Sequence, residues 1–278
     1  MIELGAYRLD LIGDGSFEDE ADTFVRHCAE REHKPGVRVR GKRRIRVGFN
    51  SLLVRGAGRC VVIDPGTGDK LREDLVAQYR MEWPRRFLPT IAELGVLRED
   101  VDTVILTHLH WDHAGAATRI GAEGEIVPTF PNARYFVQRR ELEAARRSDD
   151  GYIADDFEPL ARRGQLELVD GEAEILPGFE VRWTGGHTAG HQVVLIGDPP
   201  RVRAAFLSDL VPTATQLPLD CGLSYDVNAD ELRAAKERIL GEAADQNYLL
   251  MFVHAPKLRA GYLNRTTGGG FRLTSVDV

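Results

Sequence analysis

Six consecutive positions constrain this chain more than any other feature: His108-Leu109-His110-Trp111-Asp112-His113, directly after the apolar run 101–106. In an extended segment alternate side chains share a face, so His108 and His110 continue the face of Val104 and Leu106. Two imidazoles about 7 Å apart along a strand, brought closer by a bend, can converge on one cation. The chain then turns at Trp111-Asp112, with Asp112 where a helix N-cap would stand. That turn carries Asp112 and His113 to the other side of the same cavity, where they could hold a second cation.

Four ligands on one segment are too few for two metals, and more candidates recur in the same context. His187 follows the apolar segment 179–183 and a Thr184-Gly185-Gly186 turn. Asp209 follows Ala205-Phe206-Leu207-Ser208, and His254 ends the run 248–253. Each stands just past a short apolar strand, where a rigid sheet can aim a side chain from a loop. Together they make five histidines and two aspartates, enough for two cations sharing a carboxylate.

The rest of the chain reads as one layered α/β unit over residues 1–278, with no linker or repeat. Short apolar strands are expected at 7–12, 51–54, 60–63, 101–106, 166–169, 179–183, 193–196, 204–207 and 248–253. Helices are expected near 71–79, 87–94, 114–119, 139–147 and 230–240. Hydrophobic residues at 43% and charged residues at 28% provide a core and exclude global disorder. The net charge of −7 opposes nucleic acid as the main partner. A basic run from Lys34 to Arg46 reads as a charged edge strand rather than an RNA grip. No apolar run reaches the length of a membrane span, and MIELGAYRLD lacks the pattern of a secretory signal. Cys28, Cys60 and Cys221, few and odd in number, point to reduced thiols and a cytoplasmic setting.

The successive segments THLHWDHAG, GGHTAGH, SDL and VHAP, with VVIDPGTGD ahead of them, resemble the metallo-β-lactamase fold superfamily over nearly the whole chain. The resemblance implies an α/β fold, a four-layer αββα sandwich. It implies that His108, His110 and His187 bind one metal, that Asp112, His113 and His254 bind the other, and that Asp209 bridges them. Asp64 would orient the ligand loop from behind, while His191 has no ligand role in the family. The cofactor implied is two divalent ions, zinc first, with manganese, iron or cobalt also suited to His and carboxylate ligands. Water bound there supplies hydroxide near neutral pH, and Asp112 can relay a proton to the leaving group.

His110 and His113 separate this chain from flavodiiron reductases and true β-lactamases, leaving lactonase-like and parathion-hydrolase-like hydrolases as the branch resembled. The expected substrate is a small lactone or ester, with organophosphate hydrolysis as a side activity. A phosphodiesterase acting on RNA or nucleotides is the alternative, and family relatives are often homodimers. Lactonases of the best-known type carry a tyrosine three residues after the bridging aspartate, where this chain has Pro212; Tyr225 is the candidate replacement. Trp111, Trp83, Phe87 and Tyr225 are the expected walls of a pocket for an apolar acyl group.

Overall fold

The computed structural model describes residues 1–26, 37–39, 42–197, 203–268 and 270–277. Two large sheets stack face to face, and the period-2 alternation of their strands decides what lies on each side. In Arg59–Ile63, Val61 and Ile63 point into the space between the sheets, and Val62 points out toward helices. From the first sheet Leu9, Leu11, Leu52, Val54 and Ile105 fill the same central layer. Phe179, Val181, Val194, Phe206, Leu249 and Met251 meet them from the second sheet.

The first sheet runs Ile2–Leu4, Tyr7–Glu20, Lys42–Gly56, Arg59–Ile63, Thr103–Ile105, Arg134–Gln138 and Leu166–Val169, with Val37–Val39 also paired to Lys42–Gly56. The second runs Ala173–Leu176, Phe179–Trp183, Gln192–Ile196, Ala204–Phe206, Leu249–Met251, Ala260–Arg265 and Phe271–Val276. Outside the first sheet, Phe87 and Ile91 of Phe87–Glu93, Leu142 of Arg139–Ala145, and Phe157 and Leu160 of Ala154–Arg162 pack on Val62, Val104 and Tyr135. Outside the second, Leu232, Ala235, Ile239 and Ala243 of Ala229–Asp245 pack on Val193, Leu195, Ala205 and Leu250. Helix, sheet, sheet, helix is the four-layer sandwich that the motifs implied. Asn228 starts the long helix by accepting the Glu231 N–H at 3.2 Å, a cap whose loss typically costs about 1 kcal/mol.

Several elements depart from the sequence reading. The stretch expected to be one helix over 114–119 is a single α-turn, Trp111–Ala114, a 3-10 turn, Gly115–Ala117, and a strand, Thr118–Ile120. The helix Ala154–Arg162, with Pro159 inside it, is absent from the sequence reading. The hairpin Ala260–Arg265 with Phe271–Val276 extends the second sheet beyond the strand at Leu249–Met251. Cys221 is buried and disulfide-bonded, which corrects the expectation of three reduced thiols; Cys60 is free and half-buried. Cys28 lies outside the described residues, as do Lys34 and Arg40 of the basic run. Within that run, Arg46 pairs with Glu82 and Ser16, and Arg44 donates to the Gln78 carbonyl.

Candidate metal centre

The ligand candidates lie where both sheets end. Thr103–Ile105 runs parallel to both its neighbours, and the ladder stops just before Thr107 and His108. Ala204–Phe206 and Leu249–Met251 are also parallel, with Phe206 opposite Met251, so Asp209 and His254 leave the sheet side by side. Carboxyl ends of parallel strands leave an uncovered crevice there, which suits loops that carry side chains to one point. The loop to His187 needs glycine: Gly186 has φ +78°, and a Cβ there would come within 2.6 Å of Leu232 backbone.

All seven predicted ligands converge. His110 Nδ1 lies 3.1 Å from His108 Nε2 and 3.2 Å from His187 Nε2. His254 Nε2 lies 3.5 Å from Asp112 Oδ2, and His113 Nε2 lies 3.7 Å from the same oxygen. Asp209 stands between the two groups. Its Oδ2 is 3.1 Å from His187, 3.5 Å from His113 and 3.9 Å from His108, while its Oδ1 is 3.2 Å from His254. A tetrahedral cation with bonds of roughly 2.0–2.1 Å separates its ligand atoms by about 3.3 Å. The triplets His108–His110–His187 and Asp112–His113–His254 each offer three ligand atoms close enough to hold one ion.

The polar accounting also fits cations. His113 Nε2 and Asp209 Oδ1 are buried with no hydrogen-bond partner, and both face the middle of the cluster. In three of the rings the outer nitrogen is occupied, which leaves one lone pair per ring for the centre. His113 Nδ1–H donates to Asp64 at 2.9 Å, His187 Nδ1–H to Asp226 at 2.9 Å, and His254 Nδ1–H to the Gly48 carbonyl at 2.9 Å. Carboxylates and carbonyls only accept, so each of these rings presents a bare Nε2 inward when neutral. Burial, and then the neighbouring His113, holds His108 well below its ordinary range. Burial also lowers His110, with His187 the next cause. In Asp209 burial acts upward, but His254, His113 and His187 together hold the carboxyl well down.

Asp64 earns its place behind the ligands. It accepts from the Thr107 N–H at 2.8 Å, the Thr107 hydroxyl at 2.7 Å and the Ser208 hydroxyl at 3.1 Å, besides His113. One carboxylate thus ties the residue before His108, the residue before Asp209 and a ligand ring. Asp64 and Ser208 both have positive φ, +45° and +48°, a conformation that costs a non-glycine residue about 1–3 kcal/mol and gathers at functional sites. His191 is not at the cluster's centre: the Asp209 N–H donates to its Nε2 at 3.2 Å, and its Nδ1–H goes to Thr184 Oγ1 at 2.6 Å. It holds the backbone of the shared aspartate.

With that geometry, the sequence comparisons become decisive. Residues 46–249 match the model of the family described as the metallo-beta-lactamase superfamily. The chain belongs to that superfamily. An N-acyl homoserine lactonase from a Bacillus species is 35% identical to this superfamily member over 111 residues, 40% of this chain and 39% of the relative. The chain therefore spans about two fifths of the length of that curated relative. Among solved structures, a probable metal-dependent hydrolase from Staphylococcus aureus superposes with a TM-score of 0.85 at 21% identity, covering 100% of this chain and 99% of that one. AidC, described as a dizinc quorum-quenching lactonase in complex with a product, superposes with a TM-score of 0.77 at 20% identity, covering 100% and 97%. These likenesses share the four-layer superfamily fold.

The expected pocket walls fare unevenly. Trp111 is half-buried beside the ligands, its ring 5.7 Å from Tyr79 and 6.3 Å from Phe49. Tyr225 is near enough to Asp112 for that charge, after burial and Asp19, to raise its phenol, and its hydroxyl donates to Asp19 Oδ2 at 2.6 Å. Phe87 is no wall: it is 2% exposed and packs in the helix layer against Phe130. Trp83 lies on the surface, 49% exposed, with the Arg85 guanidinium over its ring. In sequence an isolated aromatic carries no sign of which layer takes it. A cleft of about 740 Å³, lined among others by Phe24, Ile45, Thr215, Ala255 and Leu258, contains none of the four. At the position of the missing tyrosine, the Pro212 carbonyl accepts the His254 N–H at 2.9 Å.

The sequence reading missed Asp226, which accepts from His187 and, at 2.6 Å, from the Leu223 N–H. An aspartate in an irregular loop 39 residues from its partner carries no periodic signal.

Proposed function

We propose that this chain is a metal-dependent hydrolase of small-molecule lactones or esters, working with two divalent cations in one domain that spans the chain. The observation that carries the reading is the shared carboxylate: Asp209 turns one oxygen toward His108, His113 and His187 and the other toward His254. His108, His110 and His187 would hold one ion, Asp112, His113 and His254 the other, and Asp209 both, with zinc the first candidate. The lactonase named among the relatives supports the substrate class.

When bound, the cations would supply Lewis acidity and a water acidic enough to attack near pH 7. The chain's own groups do the rest. The water oxygen adds to the carbonyl carbon, the ester C–O bond breaks, and the leaving oxygen takes up a proton. Asp112 is suited to carry that proton, because its side chain is 14% exposed while Asp209 and the histidines that face the two carboxylates are exposed by 5% or less. Trp111, next to Asp112 in the chain, and Tyr225, close enough to feel the charge of Asp112, would contact the acyl part. Asp64, Asp226 and the Gly48 carbonyl keep the rings aimed.

The test is steady-state turnover of γ-lactones, aryl esters and paraoxon-type phosphotriesters, with and without a chelator. Chelator-sensitive hydrolysis of lactones or esters is expected. Turnover of bis-p-nitrophenyl phosphate in the absence of any esterase activity would point instead to a phosphodiesterase.

A further inference from the structure

Glu141 is a fully buried carboxylate for which the hydrolysis outlined above has no use. It sits on the helix Arg139–Ala145, in the inward stripe that also carries Leu142 and Ala145. Its Oε1 accepts the Leu109 N–H at 3.0 Å and the Tyr152 hydroxyl at 3.1 Å. Its Oε2 accepts the Thr188 hydroxyl at 2.7 Å and the Gly190 N–H at 2.9 Å. Burial raises this carboxyl above its ordinary range, and the four donors offset only part of that rise.

The four donors come from three segments that meet at one cation position. Leu109 lies between His108 and His110. Thr188 and Gly190 follow His187 directly. Tyr152 pairs with the backbone of His110, its ring 4.9 Å from the imidazole. The approach is close enough to demand glycine at 190, where a Cβ would overlap Glu141 itself. Among the described residues no donor to Glu141 comes from the segment of His254, and Asp112 and His113 follow the donor Leu109 only past the turn that starts at Trp111. The rings of His113 and His254 are held by Asp64 and the Gly48 carbonyl instead.

We propose that Glu141 is a positioning residue that sets the distance between the two loops carrying His108, His110 and His187, and so tunes the affinity of that cation position separately from its neighbour. The inference rests on the two-cation reading. An ionised carboxylate only accepts, and all four contacts use that property. Glutamine has the same shape, but its NH₂ would face two donors whichever way it is turned. Groups that orient ligands in this way typically change metal affinity by about 10–100-fold when removed.

The experiment is a zinc titration of chelator-stripped protein, resolving the two stepwise dissociation constants for wild type, Glu141→Gln and Asp226→Asn. Wild type is expected to take up two ions. In Glu141→Gln one constant should weaken by about tenfold or more, the same one that Asp226→Asn weakens, while the other holds. Should Glu141→Gln not fold, Thr188→Val and Tyr152→Phe each remove one donor and should loosen that same constant by a smaller factor. Both constants moving together, or neither moving, overturns the proposal and leaves the two-cation reading standing. A wild type that takes up no zinc overturns both.

Discussion

The carboxylate of Asp226 accepts the Nδ1–H of His187 at 2.9 Å, across 39 residues of chain, and accepts the Leu223 N–H with its other oxygen at 2.6 Å. The loop that supplies it is held from behind by Lys236, a fully buried lysine whose ammonium donates to the carbonyls of Gln216, at 2.6 Å, and Cys221. A carboxylate on the outer nitrogen fixes the tautomer of an imidazole and makes the inner nitrogen a better ligand.

Asp226→Asn keeps the outline of this contact and removes the charge. It is expected to weaken one of the two cations by about 10–100-fold while leaving the fold intact. Metal content after dialysis against a graded chelator series, with circular dichroism alongside, would show it; full retention of both ions would refute the role.

Asp209→Ala should empty both positions and abolish turnover, since among the described residues this is the one carboxylate facing histidines of both groups. His254→Ala should mainly loosen the ion it shares with Asp112 and His113. Elemental analysis of each variant separates the two cases. Two ions per chain in Asp209→Ala would contradict a bridging role.

Tyr225→Phe is expected to change KM by roughly two- to tenfold and kcat less, the scale of one hydrogen bond. Its hydroxyl proton is already committed to Asp19. The oxygen can therefore accept from a substrate N–H, but it has no proton left to donate to a substrate carbonyl. A fall in kcat of a hundredfold or more would mean that the Asp19 contact gives way during turnover.

Burial raises the Asp156 carboxyl from 3.8 to about 6 despite its ion pair with Lys70 at 3.0 Å. Between about pH 4 and pH 6 the folded chain keeps a proton there that the unfolded chain has lost. Stability from this group is therefore complete below about pH 4 and declines as the pH rises through 6, by about 3 kcal/mol in all. Urea unfolding of wild type and Asp156→Asn across that range should show the stability difference moving against the wild type with rising pH. A constant difference would show that Asp156 is ionised throughout.

The ligand set was legible in the sequence because its geometry is local. His108, His110, Asp112 and His113 are spaced by a strand end and one turn, and the others each follow an apolar strand, so short-range stereochemistry already aims them. The central layers were legible for the same reason: Val61, Val62 and Ile63 show their faces by alternation alone. What holds the ligands was not legible. Glu141 looks like one more charged residue on a surface helix, and Asp226 like a turn residue. Phe87 and Trp83, equally apolar in sequence, went to the core and to the surface. Hydrogen bonds such as Leu109 N–H to Glu141 and His187 to Asp226 join segments tens of residues apart, and no periodicity records such pairings. The chain's pattern thus determined which atoms could bind cations, while the packing of helices and loops against the sheet ends decided which buried carboxylates hold those atoms still.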